Sequence, residues 1–361
     1  MKKKIAIAID SLTGGGAEKV MLTLASDFAK LGHDVHILIM LNECLHEIPK
    51  GITLHYCFAS GENKLDSLTK LNSSVIKLKD KIHSLEEKNG KFDLFLSNLD
   101  MTNMLMTRVN VSPLYCVIHS TIEESLKRQM QLGPLAYFRM LRAVKCLDGQ
   151  NLITVSKGIE TEILTKKRIR PKSITTIYNP FDLNDIVEKS KEINKEIPSE
   201  DYIIHVGRFA KSKRHDILFK SLKLMNNNIK LVLLCKNRKK AIKSAKKYGV
   251  IDRVIIPGFQ KNPYPWINKA KLLVLSSDYE GLPTVLIESL TVNTPVVSTD
   301  CHYGPNEIMT GELAEFLVPI RDPDNLAHTI DKAINCYPNL DNIDILDKVV
   351  SSTVAKQYLK L

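Results

Sequence analysis

Short aliphatic and β-branched runs alternate with amphipathic stretches along the whole chain, and the alternation is run through twice. Ile5–Ile9, Val35–Met40, Phe92–Leu96, Leu114–Ile118, Leu152–Val155 and Ile174–Ile177 read as strands of the first round. Between them, Val20, Met21, Leu24, Phe28 and Leu31 recur at helical spacing until Gly32 closes the run. Leu65–Leu85 predicts a further long helix with a charged back. Strands that are apolar along most of their length, separated by helices, specify a parallel sheet covered on both faces. After Asn179 and Pro180 comes a polar stretch to Glu200; strands then restart at Tyr202–Val206, Lys230–Leu234, Arg253–Ile256, Lys271–Leu275 and Pro295–Ser298. The reading is an α/β chain of two doubly wound, Rossmann-like domains facing each other across a cleft, with the boundary near residues 178–200. At 361 residues there is room for two such cores.

Composition narrows the class. Hydrophobic content of 44% and charged content of 25% match a soluble globular protein and exclude disordered and fibrous chains. No run approaches the roughly 18–20 apolar residues of a membrane span. The opening MKKKIAIAIDSL stops its apolar run at Asp10, short of the roughly 7–15 residues of a signal-peptide core, and reads as a first strand. Seven scattered cysteines without a CxxC or zinc spacing point to a reduced, cytoplasmic compartment. His33, His36, Cys44 and His46 tempt a metal reading, but Val35–Met40 is a strand, and a rise of about 3.3 Å per residue holds the two pairs apart. A net charge of +11 calls for an anionic partner. No aromatic-plus-basic platform appears, so nucleic acid is not expected.

The first strand ends at Asp10 and runs through Ser-Leu-Thr-Gly-Gly-Gly-Ala-Glu into a helix, a turn that lets backbone amides approach an anion. A dinucleotide fingerprint fails here, because Lys19 stands where its third glycine belongs. The second round is more specific. Gly207 ends its first strand, and Arg208 and Lys213 follow at the carboxyl end, where α/β sheets bind ligands. Arg forks onto phosphate oxygens and Lys adds a compact charge. Further on, Leu272–Leu275 leads through Glu280, Gly281 and Leu282 to Pro283 at the expected first helical position, with Glu288 in the helix.

The spacing G-R-x4-K, then E-G-L-P-x-V-x-x-E, then T-P-V-V-S-T-D resembles the retaining glycosyltransferases of family 4, which have the GT-B fold. GGAEKV, VIHS, TVSKGI and IYNPFD fit as well, so the resemblance covers most of the chain. It implies an acceptor domain at 1–180, a nucleotide-sugar domain at 181–340, and a last segment at 341–361 packing back on the first domain. It implies that Gly15 and Gly16 approach the donor phosphates while Arg208 and Lys213 hold the diphosphate as it leaves. Glu288 would bind the ribose. Glu280 and the backbone of Gly281, Leu282, Pro283, Thr284 and Val285 would surround sugar and phosphate. Ile256 and Gly258 would lie near the base, and His119 would contact the transferred sugar. Departures from the family pattern are Arg214 beside Lys213, Cys235-Lys236-Asn237 for a usual G-x-G, and Asn293 for a usual glycine. Asn tolerates the left-handed conformation, so that exchange is mild.

Asp322-Pro323-Asp324 imitates a metal-gripping D-x-D, but an Asp cap with Pro at the first helical position accounts for it. No metal or cofactor is expected. Ser120–Leu147 carries Lys127, Arg128, Arg139, Arg142 and Lys145 among apolar residues; it reads as a long helix packed on the first domain or as a face for anionic lipid. The expected activity is transfer of a hexose or N-acetylhexosamine from a nucleotide-sugar, with UDP preferred, to a glycan or lipid-linked acceptor in surface-polysaccharide assembly. The location expected is cytoplasmic, at the inner face of the plasma membrane if the lipid face is used. A nucleotide-sugar epimerase of the same fold and a non-catalytic sugar-nucleotide-binding module are the rivals.

Overall fold

The computed structural model describes residues 2–13 and 15–361 and divides into two compact units. One comprises Met1–Phe181 with Ser351–Leu361, the other Asp182–Val350. Among the described residues, the first unit holds a parallel sheet of β1 (Lys4–Ile9), β2 (Asp34–Ile39), β3 (Ile52–Tyr56), β4 (Leu94–Asn98), β5 (Leu114–Ile118), β6 (Asn151–Thr154) and β7 (Ser173–Thr176). Their spatial order is β3-β2-β1-β4-β5-β6-β7. The second unit holds β8 (Tyr202–Val206), β9 (Lys230–Leu234), β10 (Val254–Ile255), β11 (Leu272–Leu275), β12 (Val296–Thr299) and β13 (Leu317–Val318), in the order β10-β9-β8-β11-β12-β13. Each order reverses direction beside its first strand, the doubly wound pattern, and ligands of such sheets bind beyond the strands' carboxyl ends at that switch.

The central strands are buried throughout: Ile5–Ile9 and Leu272–Leu275 have no accessible surface. That explains their unbroken apolar runs. β3, with its burial broken by exposed Thr53 and Tyr56, pairs only with β2 at the sheet edge and has no comparable run to announce it.

Two helices depart from expectation. The helix expected from Leu65 starts at Leu71 and ends at Asn89. Lys64 adopts φ +52°, and buried Asp66 receives a two-pronged bond from Arg139 at 2.8 and 2.9 Å, which holds 64–70 in turns. The Ser120–Leu147 stretch is two helices, Ile122–Gln131 and Pro134–Lys145. Gly133 at φ +115° and the proline after it break the continuity. At the end of the chain, the helix Asp344–Val349 counts with the second unit, and the helix Ser351–Tyr358 packs against Gly16–Lys30 of the first. No described helix is long and apolar enough to cross a membrane.

Candidate active site

In the second unit the exits of β8 and β11 are tied together. Lys213 Nζ donates to Glu280 Oε1 at 2.6 Å, and Ser277 Oγ donates to the same oxygen at 2.5 Å. Ser276 Oγ donates to the Lys213 carbonyl at 2.8 Å, and the Asp278 amide donates to the Ser212 carbonyl at 2.8 Å. Both charged side chains are largely covered, Lys213 at 19% and Glu280 at 14% of full exposure. Arg208, one residue past Gly207, stays exposed at the same end of the sheet. A methyl placed on Gly207 would lie 3.5 Å from the Lys213 stem, so the Lys213 side chain runs back over the end of β8.

Arg214 sits in the left-handed region at φ +47°, where the family usually has glycine. Its guanidinium forks onto Asp216 at 2.7 and 2.9 Å and reaches Asp278 at 3.1 Å. Arg321 bonds Asp278 from another side at 3.0 Å. These ion pairs hold the unusual backbone in place and fix the loop that carries Lys213.

The turn after β11 leads into the helix Thr284–Thr291. Pro283 precedes the first helical residue instead of occupying it, because its ψ of 93° is still extended. The segment 302–304 braces this turn: the Glu280 amide donates to the His302 carbonyl at 3.0 Å, and Gly304 lies directly behind Gly281, Leu282 and Pro283. Glu288, one turn into the helix, is buried and accepts a bond from the Tyr264 hydroxyl at 3.2 Å. Ile256 and Gly258 lie beside the loop after β9. Arg238 Nε donates to the Ile256 carbonyl at 2.8 Å, and the Cys235 amide donates to the Gly258 carbonyl at 3.2 Å. Asn237, in place of the family glycine, caps the helix Arg238–Lys247 by accepting from the Lys240 amide at 3.2 Å.

Beneath this loop cluster lie two buried histidines. His205 Nδ1 donates to the Val274 carbonyl at 2.8 Å, leaving Nε2 without a partner. His215 packs edge-on to His205 at 4.7 Å and stacks on Phe209 at 4.2 Å. Burial lowers their pKa values to about 4 and about 2, so both are neutral below the cationic loop.

In the first unit, His119 follows β5 at the carboxyl end of the sheet. Its Nε2 lies 2.9 Å from Asn98 Oδ1, and loss of water lowers its pKa to about 4. Gly15 caps the helix Gly16–Lys30, and its amide donates to Glu18 Oε2 at 2.9 Å. The first glycine of that turn, Gly14, lies outside the described residues. Open space surrounds the Cβ direction of Gly16. Asp10 Oδ1 accepts from the Thr102 amide at 2.9 Å and its hydroxyl at 2.6 Å, while burial raises its pKa to about 6.

Among the described residues no three His, Cys, Asp or Glu side chains are grouped to hold a metal ion. Asp322 caps the helix Pro323–Asn335 by accepting from the Asn325 amide at 3.0 Å. The fold pairs Lys213 with Glu280, two residues that the sequence reading gives to diphosphate and sugar separately, and leaves Arg208 exposed at the same end of the sheet. Sequence spacing missed Ser276, Ser277, Tyr264, Asn98 and Gly304. Of these only Gly304, in a Tyr-Gly-Pro turn, left a signal in the sequence.

Comparison with known proteins agrees with this fold. Residues 14–185 match the profile described as Glycosyltransferase Family 4, and residues 186–344 the one described as Glycosyl transferases group 1. An N-acetylgalactosamine-N,N'-diacetylbacillosaminyl-diphospho-undecaprenol 4-alpha-N-acetylgalactosaminyltransferase of Campylobacter jejuni is 27% identical over 99% of both chains. A second Campylobacter jejuni enzyme, a GalNAc-alpha-(1->4)-GalNAc-alpha-(1->3)-diNAcBac-PP-undecaprenol alpha-1,4-N-acetyl-D-galactosaminyltransferase, is 26% identical over 92% of this chain and 89% of its own. Among solved structures, Anabaena HepE in complex with UDP-glucose superposes with a TM-score of 0.75 at 18% identity, covering 99% of this chain and 98% of its own. With two parallel-sheet units, a basic site at the strand ends of the second and profile matches running from residue 14 to 344, the chain belongs with the family 4 glycosyltransferases of GT-B fold.

Proposed function

We propose that the chain transfers a hexose or N-acetylhexosamine from a UDP-sugar, with retention at the anomeric carbon, to a lipid-linked or glycan acceptor in cell-surface polysaccharide assembly. The observation that carries this reading is the covered Lys213–Glu280 pair at the end of β8 and β11, with Arg208 exposed at the same end of the sheet. Breaking a glycosyl–phosphate bond builds negative charge on the diphosphate and positive charge on the sugar. Lys213 and Arg208 answer the first, joined by the free amides at the start of the helix Thr284–Thr291. The Glu280 carboxylate answers the second. Two cations already supply the neutralisation that a metal gives elsewhere, so the reading requires none. Glu288 takes the ribose hydroxyls, and a neutral His119 meets a hydroxyl of the sugar.

The undecaprenol-linked acceptors in the relatives' names support a lipid-borne acceptor here. A surface suited to lipid supports it further. Met130, Leu132, Leu135 and Phe138 are exposed by 61, 68, 88 and 60% at the corner between the helices Ile122–Gln131 and Pro134–Lys145. Residues 127–145 carry five basic side chains and no acidic one. Apolar residues ringed by cations suit the interface of an anionic bilayer, which on this reading is the inner face of the plasma membrane. Arg139 is bound to Asp66, leaving Arg142 and Lys145 as the cations of that helix for lipid.

The test is nucleotide release from UDP-, GDP- and ADP-sugars with an undecaprenyl-diphosphate-linked acceptor, with the anomeric configuration of the product read by NMR. UDP release and a retained linkage are expected. Release of a free epimer without acceptor, an inverted linkage, or turnover surviving Arg208→Ala and Glu280→Ala overturns the reading.

A further inference from the structure

His119 is held by a single side chain whose own orientation is settled. Asn98 ends β4, has no accessible surface, and its Nδ2 donates to the Ala8 carbonyl at 3.1 Å and to the Leu96 carbonyl at 3.4 Å. Backbone carbonyls can only accept, so the amide nitrogen must face them and Oδ1 must face His119. An amide oxygen also only accepts, so the nitrogen 2.9 Å away, His119 Nε2, carries the proton. A neutral imidazole has one N–H, which leaves Nδ1 as a bare lone pair. Among the described residues Nδ1 has no partner, and the ring is half-buried, so Nδ1 is the nitrogen left for a ligand.

From this geometry we infer that Asn98 is a positioning residue. By way of two backbone carbonyls of β1 and β4 it locks His119 as the Nε2–H tautomer, so that His119 accepts a hydrogen bond from a sugar hydroxyl and never donates one. The inference rests on the proposed sugar contact of His119 and adds its direction. Loss of water around the ring keeps it neutral at physiological pH, which preserves the acceptor. A hydroxyl at that point is therefore required as a donor. A donor sugar carrying fluorine or a methoxy group in its place offers an acceptor to an acceptor and is rejected.

The experiment uses the full chain labelled with 15N-histidine, the His119 signals being identified by their loss in His119→Gln. In the wild type they show the neutral Nε2–H form from pH 6 to 8. In Asn98→Leu they shift toward the Nδ1–H form. In Asn98→Asp the carboxylate still accepts, so Nε2–H persists, but the ring becomes charged at a higher pH. In turnover, Asn98→Leu lowers kcat/KM about 10-fold, the worth of one hydrogen bond. Asn98→Leu added to His119→Ala costs nothing more. A wild-type Nδ1–H signal, or an Nε2–H form unmoved by Asn98→Leu, overturns the inference, as does a full 10-fold loss in the His119→Ala background. If Asn98→Leu does not fold, the tautomer and titration of Asn98→Asp decide: an unshifted titration overturns it. Normal turnover of His119→Ala removes the sugar contact and the inference with it, whereas wild-type protein inert toward every nucleotide-sugar strikes the transfer reading itself, and the NMR spectrum still reports the tautomer.

Discussion

Gly304 stands so close behind Pro283 that a Cβ at that position would lie 2.6 Å from the proline's Cδ. It would also lie 2.8 Å from the Gly281 carbonyl oxygen, an atom of the backbone that has no side-chain freedom to yield. At φ +99° the residue is also in a region that side chains rarely adopt. Gly304→Ala should therefore push the 281–283 turn out of place and cost about 1–3 kcal/mol. The expected result is a lower urea midpoint together with loss of the UDP-induced thermal shift. A variant that keeps both would show that the brace does not shape the donor loop.

Arg208 and Glu280 should separate stability from turnover. Arg208 is exposed, so Arg208→Ala should leave unfolding free energy within about 0.5 kcal/mol while lowering turnover about 100-fold or more. Glu280→Ala removes the partner of a largely covered lysine and should lower both, stability by about 1–3 kcal/mol. Urea unfolding beside nucleotide release reads the two axes; equal stability losses in the two variants would contradict the contrast.

Stability should decline on acidification from pH 6.5. His205 and His215 fold with pKa values of about 4 and about 2, against 6.5 for a free imidazole. Folding excludes their protons, so their contribution is complete above pH 6.5 and is lost as pH falls toward 4. The loss is at most about 1.4 kcal/mol per pH unit for each buried ring. Asp10 acts with the opposite sign, because its folded pKa of about 6 lies above 3.8 and acid favours the folded state there. The histidines outnumber it, His55 also being lowered to about 4. His215→Phe keeps the stack on Phe209 and removes two ring nitrogens without hydrogen bonds of normal geometry. It should raise stability by about 1–2 kcal/mol at pH 6 and flatten the acid limb. Urea midpoints from pH 4.5 to 7.5 would refute this if the slope were unchanged.

Leu135, Phe138 and Arg142 fall at helical spacing on one stripe of Pro134–Lys145. Phe138→Glu and Arg142→Glu should each reduce sedimentation with phosphatidylglycerol vesicles severalfold, a basic residue near the surface being worth about 1 kcal/mol. Arg139→Glu is the wrong probe, since it breaks the bond to Asp66 and disturbs the fold. Binding unchanged in both variants would remove the lipid surface.

What was legible from the residues follows what each position needs. Central strands buried on both faces are apolar along most of their length, so β5, β8 and β9 were found to the residue. Asn293 was expected to tolerate a left-handed turn and has φ +59°. β3 escaped because an edge strand carries mixed residues. The start of the helix at Leu71 was misplaced because the turn before it is fixed by Arg139, 73 positions on in the chain. Asn98 and Ser276 act through partners brought together only by folding, and no local pattern marks such residues.

The return of the chain bears on how the molecule can be taken apart. The chain leaves the first unit at Phe181 and rejoins it at Ser351, whose amide donates to the Phe181 carbonyl at 2.9 Å. The two severed ends left by removing everything between them are already in contact. A tripeptide joint should thus suffice to seal the remainder, with the helix Ser351–Tyr358 still packed on Gly16–Lys30, and the excised portion is a cassette to exchange for that of another transferase.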